Sequence, residues 1–100
     1  MTASALEHLR KMMTELGLEP KRSLGQNFLI NDRVIEKIIL AVQQTKPASV
    51  IEVGPGLGAL TRFLRNFQTD LSADLHLIEL DRKLAEYWNH QGIKVTEADA

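Results

Sequence analysis

The sequence predicts an α/β fold built on an open parallel sheet, and three observations carry that prediction. Short β-branched runs alternate with segments of helical period from residue 49 onward. The first run ends in a glycine-rich turn, Gly54-Pro55-Gly56-Leu57-Gly58, that leads straight into a helical pattern. An acid, Glu79, closes the second run 25 residues after Gly54.

Each element has its own local cause. Ser4-Ala5-Leu6-Glu7 has the form of a capping box, and Leu6, Leu9, Met13 and Leu16 follow at helical spacing until Gly17. Residues 18–31 mix apolar and basic side chains, and Pro20 and Gly25 break any period, so a loop is expected. Asn31 or Asp32 caps a second helix with an apolar stripe of Val34, Ile35, Ile38, Ile39 and Val42, ending before Pro47. Ser49 to Val53 reads as the first strand. Ala59 to Phe67 reads as a helix with Leu60, Phe63, Leu64 and Phe67 inward. Leu75 to Glu79 is the second strand, Asp81 to His90 a crossover helix, and Ile93 to Glu97 the third strand. Strand and helix in alternation imply parallel pairing with right-handed crossovers, an open sheet of the Rossmann kind with three strands. The chain divides into a helical segment, 1–48, and a sheet segment, 49–100.

Composition narrows the chemistry. The 100 residues carry 12 Lys and Arg, 13 Asp and Glu and no Cys, so disulfides, thiolate metal sites and cysteine nucleophiles are excluded and a cytoplasmic setting is expected. No apolar run approaches the ~20 residues that span a bilayer, and no signal-peptide pattern opens the sequence. His8, His76 and His90 have no metal-ligand spacing and read as surface or satisfied core residues, so no metal is expected. Leu75, Leu77, Phe63, Phe67, Tyr87 and Trp88 read as core. Residues 1–68 hold nine basic against six acidic side chains, residues 69–100 three against seven. Arg10, Lys11, Lys21, Arg22 and Arg33 thus concentrate positive charge in the first third, which suits a phosphate backbone.

The strand ends carry the ligand chemistry. The glycines let backbone approach a ligand, Glu79 is placed to accept from both hydroxyls of a ribose, and Asp99 follows the third strand on the same edge. Together they match an adenosine laid across the crevice. Gly54-x-Gly56-x-x-Ala59 also satisfies a dinucleotide pattern, so an NAD-linked oxidoreductase is the rival reading. Pro55 counts against it, because a pyrophosphate is held by loop N–H groups and proline has none. A sulfonium ligand needs no such donors, and Glu52 adds negative charge suited to a cation.

These residues, together with Lys21-Arg22-Ser23-Leu24-Gly25-Gln26-Asn27-Phe28-Leu29, Glu52 to Thr61, Ile78-Glu79-Leu80-Asp81 and Ala98-Asp99-Ala100, resemble the ribosomal RNA adenine dimethyltransferases of the small-subunit dimethyladenosine type. The resemblance covers about residues 20–100. It implies the N-terminal part of a Rossmann-like class I S-adenosylmethionine-dependent methyltransferase domain, acting on the N6 amino groups of two adjacent adenosines in small-subunit ribosomal RNA. It implies that Asn27, Leu29, Gly54, Gly56 and Glu79 contact S-adenosylmethionine, that Leu80 packs on the adenine and that Asp99 meets its amino group. Lys21, Arg22 and Arg33 are the expected RNA contacts, with the small-subunit RNA or pre-ribosomal subunit as partner and the protein a monomer without membrane contact.

The large-subunit, antibiotic-resistance type of methyltransferase is the near alternative. Gly25 and the Gly-Leu-Gly of the loop favour the small-subunit type. An RNA or ribosome-assembly module without catalysis is a further alternative. Family members continue into a fourth strand with an Asn-Leu-Pro-Tyr-like motif and a helical C-terminal domain. Neither is among these residues, so no catalytic residue is expected in this chain. Cofactor binding by the chain alone is expected to be weak and methylation absent, with residues 49–53 on an unpaired edge.

Overall fold

A computed structural model describes residues 4–17 and 31–100. The elements run α1 (Ala5–Leu16), α2 (Asp32–Gln44), β1 (Ser49–Val53), α3 (Thr61–Asp70), β2 (Asp74–Glu79), α4 (Arg82–His90) and β3 (Lys94–Glu97). The three strands form one parallel sheet in the order β1-β2-β3, with Val50 beside Leu75, Glu52 beside Leu77 and Leu77 beside Val95. The expected open α/β sheet is therefore present.

The helix ends follow their capping chemistry. Ser4 Oγ accepts from Glu7 N, Gly17 closes α1 in the left-handed conformation, Asn31 Oδ1 accepts from Arg33 N and Val34 N, and Asp81 Oδ1 accepts from Leu84 N. The helix after the glycine turn starts two residues later than the apolar pattern suggests. Residues 56–60 remain in turns, closed by Gly58 N donating to Pro55 O at 2.9 Å, and α3 begins only at Thr61.

Both crossovers progress in the same direction across the sheet, so right-handedness places α3 and α4 on one face. There Leu75 and Leu77 of β2 pack with Leu64 and Phe67 of α3, Leu84 and Trp88 of α4, and Met12 of α1. Each such side chain contributes roughly 1.5–3 kcal/mol on burial. The opposite face carries Ile51, His76 and Lys94 in one register row and Val53, Ile78 and Thr96 in the next. Ile51 and Val53 are 63% and 59% exposed. On α2 only Ile35 is fully buried, and Val34 and Ile38 of the expected stripe are exposed.

Helix α1 is docked on this fold. Ala5 N donates to Asp32 Oδ1 at 2.9 Å, Tyr87 Oη donates to Met12 Sδ at 3.3 Å, and Met12 is buried in the core.

Candidate functional site

All three strands run in the same direction, so their C-terminal ends share one edge. Gly54 N donates to Ile78 O at 2.8 Å, which extends the β1–β2 ladder into the glycine loop. Ala98 N donates to Glu79 O at 3.0 Å, which draws the segment carrying Asp99 against the end of β2. The loop, Glu79 and the segment carrying Asp99 therefore meet at one edge of the sheet.

Glu79 is the hub of this edge. It is only 5% exposed, yet both carboxylate oxygens are satisfied by backbone: Oε1 accepts from Gly56 N at 3.0 Å and Oε2 from Asp81 N at 2.9 Å. Each oxygen keeps a further lone pair, so two more donors can be accepted. Leu80, the next residue, is 66% exposed beside it. Asp99 and Arg33 are exposed, while Asn27, Leu29, Lys21 and Arg22 lie outside the described residues.

The loop itself is built for close backbone approach. Gly54, Gly56 and Gly58 all have positive φ, at 67°, 54° and 84°. A Cβ on Gly54 would meet nothing within 4 Å, so this end is open to a ligand. A Cβ on Gly58 would lie 2.4 Å from two ring carbons of Trp88, so that end is closed by packing. The three glycine amides of the loop are also engaged inside the protein. Those of Gly54, Gly56 and Gly58 donate to Ile78 O, Glu79 Oε1 and Pro55 O, and Pro55 has none to offer. Further along, the amides of Arg62, Phe63 and Leu64 donate to Gly58 O and Leu60 O. A pyrophosphate cradle needs such donors unspent.

Glu52 adds a second carboxyl below the loop. Thr61 Oγ1, fully buried, donates to Glu52 Oε1 at 2.5 Å. Burial pushes the Glu52 pKa up to about 7, aided by the negative charge of Glu79 and opposed by the Thr61 bond. The sequence-based view of Glu52 as a fixed negative charge is thus refined: near neutral pH its carboxyl is divided between the two forms.

Two groups were hidden from sequence reasoning. Trp88, read there as core, also donates Nε1–H to Gly56 O at 2.9 Å. His8, read as a surface or satisfied core residue, bonds Leu57 O through Nε2 at 2.9 Å. Their partners lie 32 and 49 residues away, and no local pattern announces them. Among the described residues no cluster of three His, Asp or Glu side chains could hold a metal, and no helix is long and apolar enough to cross a membrane.

A family model described as ribosomal RNA adenine dimethylase matches residues 17–100. Among curated proteins, Ribosomal RNA small subunit methyltransferase A of Bdellovibrio bacteriovorus is 46% identical over 94 residues, covering 94% of this chain and 33% of that protein. The protein of the same name from Mycoplasma pneumoniae is 47% identical over 68 residues, covering 68% of this chain and 24% of its own length. That from Natranaerobius thermophilus is 36% identical over 80 residues, covering 80% and 25%. The chain therefore spans a third or less of the length of these relatives.

Proposed function

The chain belongs to the ribosomal RNA adenine dimethylase family, and on that premise we propose that it forms the S-adenosylmethionine-binding part of an enzyme that dimethylates the N6 amino groups of two adjacent adenosines in small-subunit ribosomal RNA. One observation carries the cofactor assignment. The amides of Gly54, Gly56 and Gly58 are engaged within the protein and Pro55 has none, whereas Glu79 keeps spare acceptor capacity at the same edge. That combination favours an adenosine ligand without phosphates.

In this reading Glu79 accepts from the ribose hydroxyls, Leu80 covers the adenine and Asp99 accepts from its amino group. Gly54 and Gly56 pass beside the methionine portion, and Asn27 and Leu29 contact the cofactor from the N-terminal segment. Glu52 lowers the energy of a cation at the loop. S-adenosylmethionine supplies, when bound, an electrophilic methyl group on a sulfonium. The contribution of these residues is to fix its position, since transfer to a nitrogen lone pair depends chiefly on alignment. Lys21, Arg22 and Arg33 meet RNA phosphates. The protein acts as a monomer in the cytoplasm, on the RNA or on the pre-ribosomal small subunit.

The test is methyl transfer from labelled S-adenosylmethionine to small-subunit ribosomal RNA by the full-length protein, followed by digestion to nucleosides. N6,N6-dimethyladenosine is the expected product. Label in any other nucleoside, or none, contradicts the proposal.

A further inference from the structure

Leu57 sits between two glycines, so no Cβ on either neighbour restrains the peptide groups that flank it. Burial of the Leu57 side chain and hydrogen bonds together set their orientation. His8 Nε2 reaches Leu57 O at 2.9 Å, and Trp88 Nε1 reaches Gly56 O at 2.9 Å, so successive carbonyls of the loop are gripped by side chains from α1 and α4. The same two side chains stand together at Gly58, whose added Cβ would lie 2.4 Å from Trp88 and 3.6 Å from His8 Nε2. The grip from α1 is firm because α1 is itself anchored through Ala5 to Asp32 and through Met12 to Tyr87.

We propose that His8 is a positioning residue for the cofactor loop, through which α1 sets the backbone that meets S-adenosylmethionine. This rests on the function proposed above. It assigns a role to a helix lying wholly ahead of residues 17–100, the part that the family model matches. The protonation state agrees with the geometry. Burial of the ring holds the His8 pKa below its ordinary value, and Arg62 and Lys11 lower it further, against the Leu57 bond and Glu15. At neutral pH the ring is therefore neutral, with its proton on Nε2 donated to Leu57 O.

The experiment compares native protein with His8→Gln, whose amide places a donor near the position of Nε2, and His8→Phe, which keeps a ring and no donor. Calorimetry gives the dissociation constant for S-adenosylmethionine, and amide exchange reports residues 56–60. His8→Phe is expected to bind about fivefold more weakly, the worth of one neutral hydrogen bond, with faster exchange at 56–60. His8→Gln is expected to stay within about twofold of native on both readouts. Equal binding by folded His8→Phe, or a loss in His8→Gln as large as in His8→Phe, overturns the inference. The titrations use the full-length protein, and if that protein in native form binds no S-adenosylmethionine, the proposed function fails by itself. Exchange then decides the role of His8: faster in His8→Phe than in His8→Gln supports it, and equal rates overturn it. Should His8→Phe fail to fold, His8→Asn, whose shorter amide falls short of Leu57 O, takes its place.

Discussion

Glu79 joins two strand-to-helix connections at once: its Oε1 accepts from Gly56 N and its Oε2 from Asp81 N, so one side chain fixes both the glycine loop and the start of α4. Removing it strands two backbone donors where the carboxylate is nearly fully buried. Glu79→Ala is expected to cost roughly 2–4 kcal/mol of stability, since an unsatisfied buried donor costs about 1–3 kcal/mol. Urea unfolding checks this, with a lower midpoint at unchanged slope and faster amide exchange at Gly56 and Asp81.

Much of this site was legible in the sequence because its positioning is local. Strand ends, glycines and the acid after β2 follow from alternation and spacing, and parallel pairing brings them to one edge. The caps at Ser4 and Asn31 were equally visible, because each acts within three residues, whereas Asp81, read as the first residue of its helix, is the cap that precedes it. The start of α3 was not, because Gly58 at positive φ keeps the chain turning to residue 60. Tertiary choices were hidden for a different reason. Periodicity marks Val34 and Ile38 as apolar, but it does not say which part of the α2 stripe the core reaches. Nor does it reveal that His8 and Trp88 end at the loop, or that burial raises the pKa of Glu52.

The Glu52 carboxyl makes stability depend on pH. Its pKa rises from 4.5 to about 7 on folding, so the protonated form is favoured in the folded state. That contribution is fully present below pH 4.5 and is lost as pH rises through about 7. Glu52→Gln keeps an acceptor for Thr61 and removes the ionisation. It is expected to be within about 0.5 kcal/mol of native at pH 4.5 and more stable by roughly 2–3 kcal/mol at pH 8. Chemical unfolding at the two pH values checks the sign, and equal differences at both would refute the assignment.

Gly54 and Gly58 separate backbone strain from steric closure. Both have positive φ, but only Gly58 has an aromatic ring in the path of a Cβ. Gly54→Ala is expected to cost about 1 kcal/mol of stability and to weaken S-adenosylmethionine binding, because the methyl group enters the open side of the loop. Gly58→Ala is expected to cost more than about 3 kcal/mol, because Trp88 must move as well. Thermal unfolding and tryptophan fluorescence give the order, and the reverse order would contradict the loop geometry.

Arg33 is exposed in the first turn of α2. If it meets RNA phosphate, Arg33→Ala weakens binding to all RNA sequences alike and lowers the slope of log affinity against log salt by about 1. Filter binding over a salt series measures both. An unchanged slope would remove Arg33 from the RNA contact.

On the function proposed above, the shared edge at the ends of β1, β2 and β3 takes a phosphate-free adenosine cofactor held by Glu79. The deciding measurement is calorimetric titration of S-adenosylmethionine into the full-length protein, with NADH as control and Glu79→Ala alongside. Binding of S-adenosylmethionine that Glu79→Ala abolishes is expected, with no heat from NADH. Binding of NADH in preference to S-adenosylmethionine, or S-adenosylmethionine binding untouched in Glu79→Ala, would contradict it.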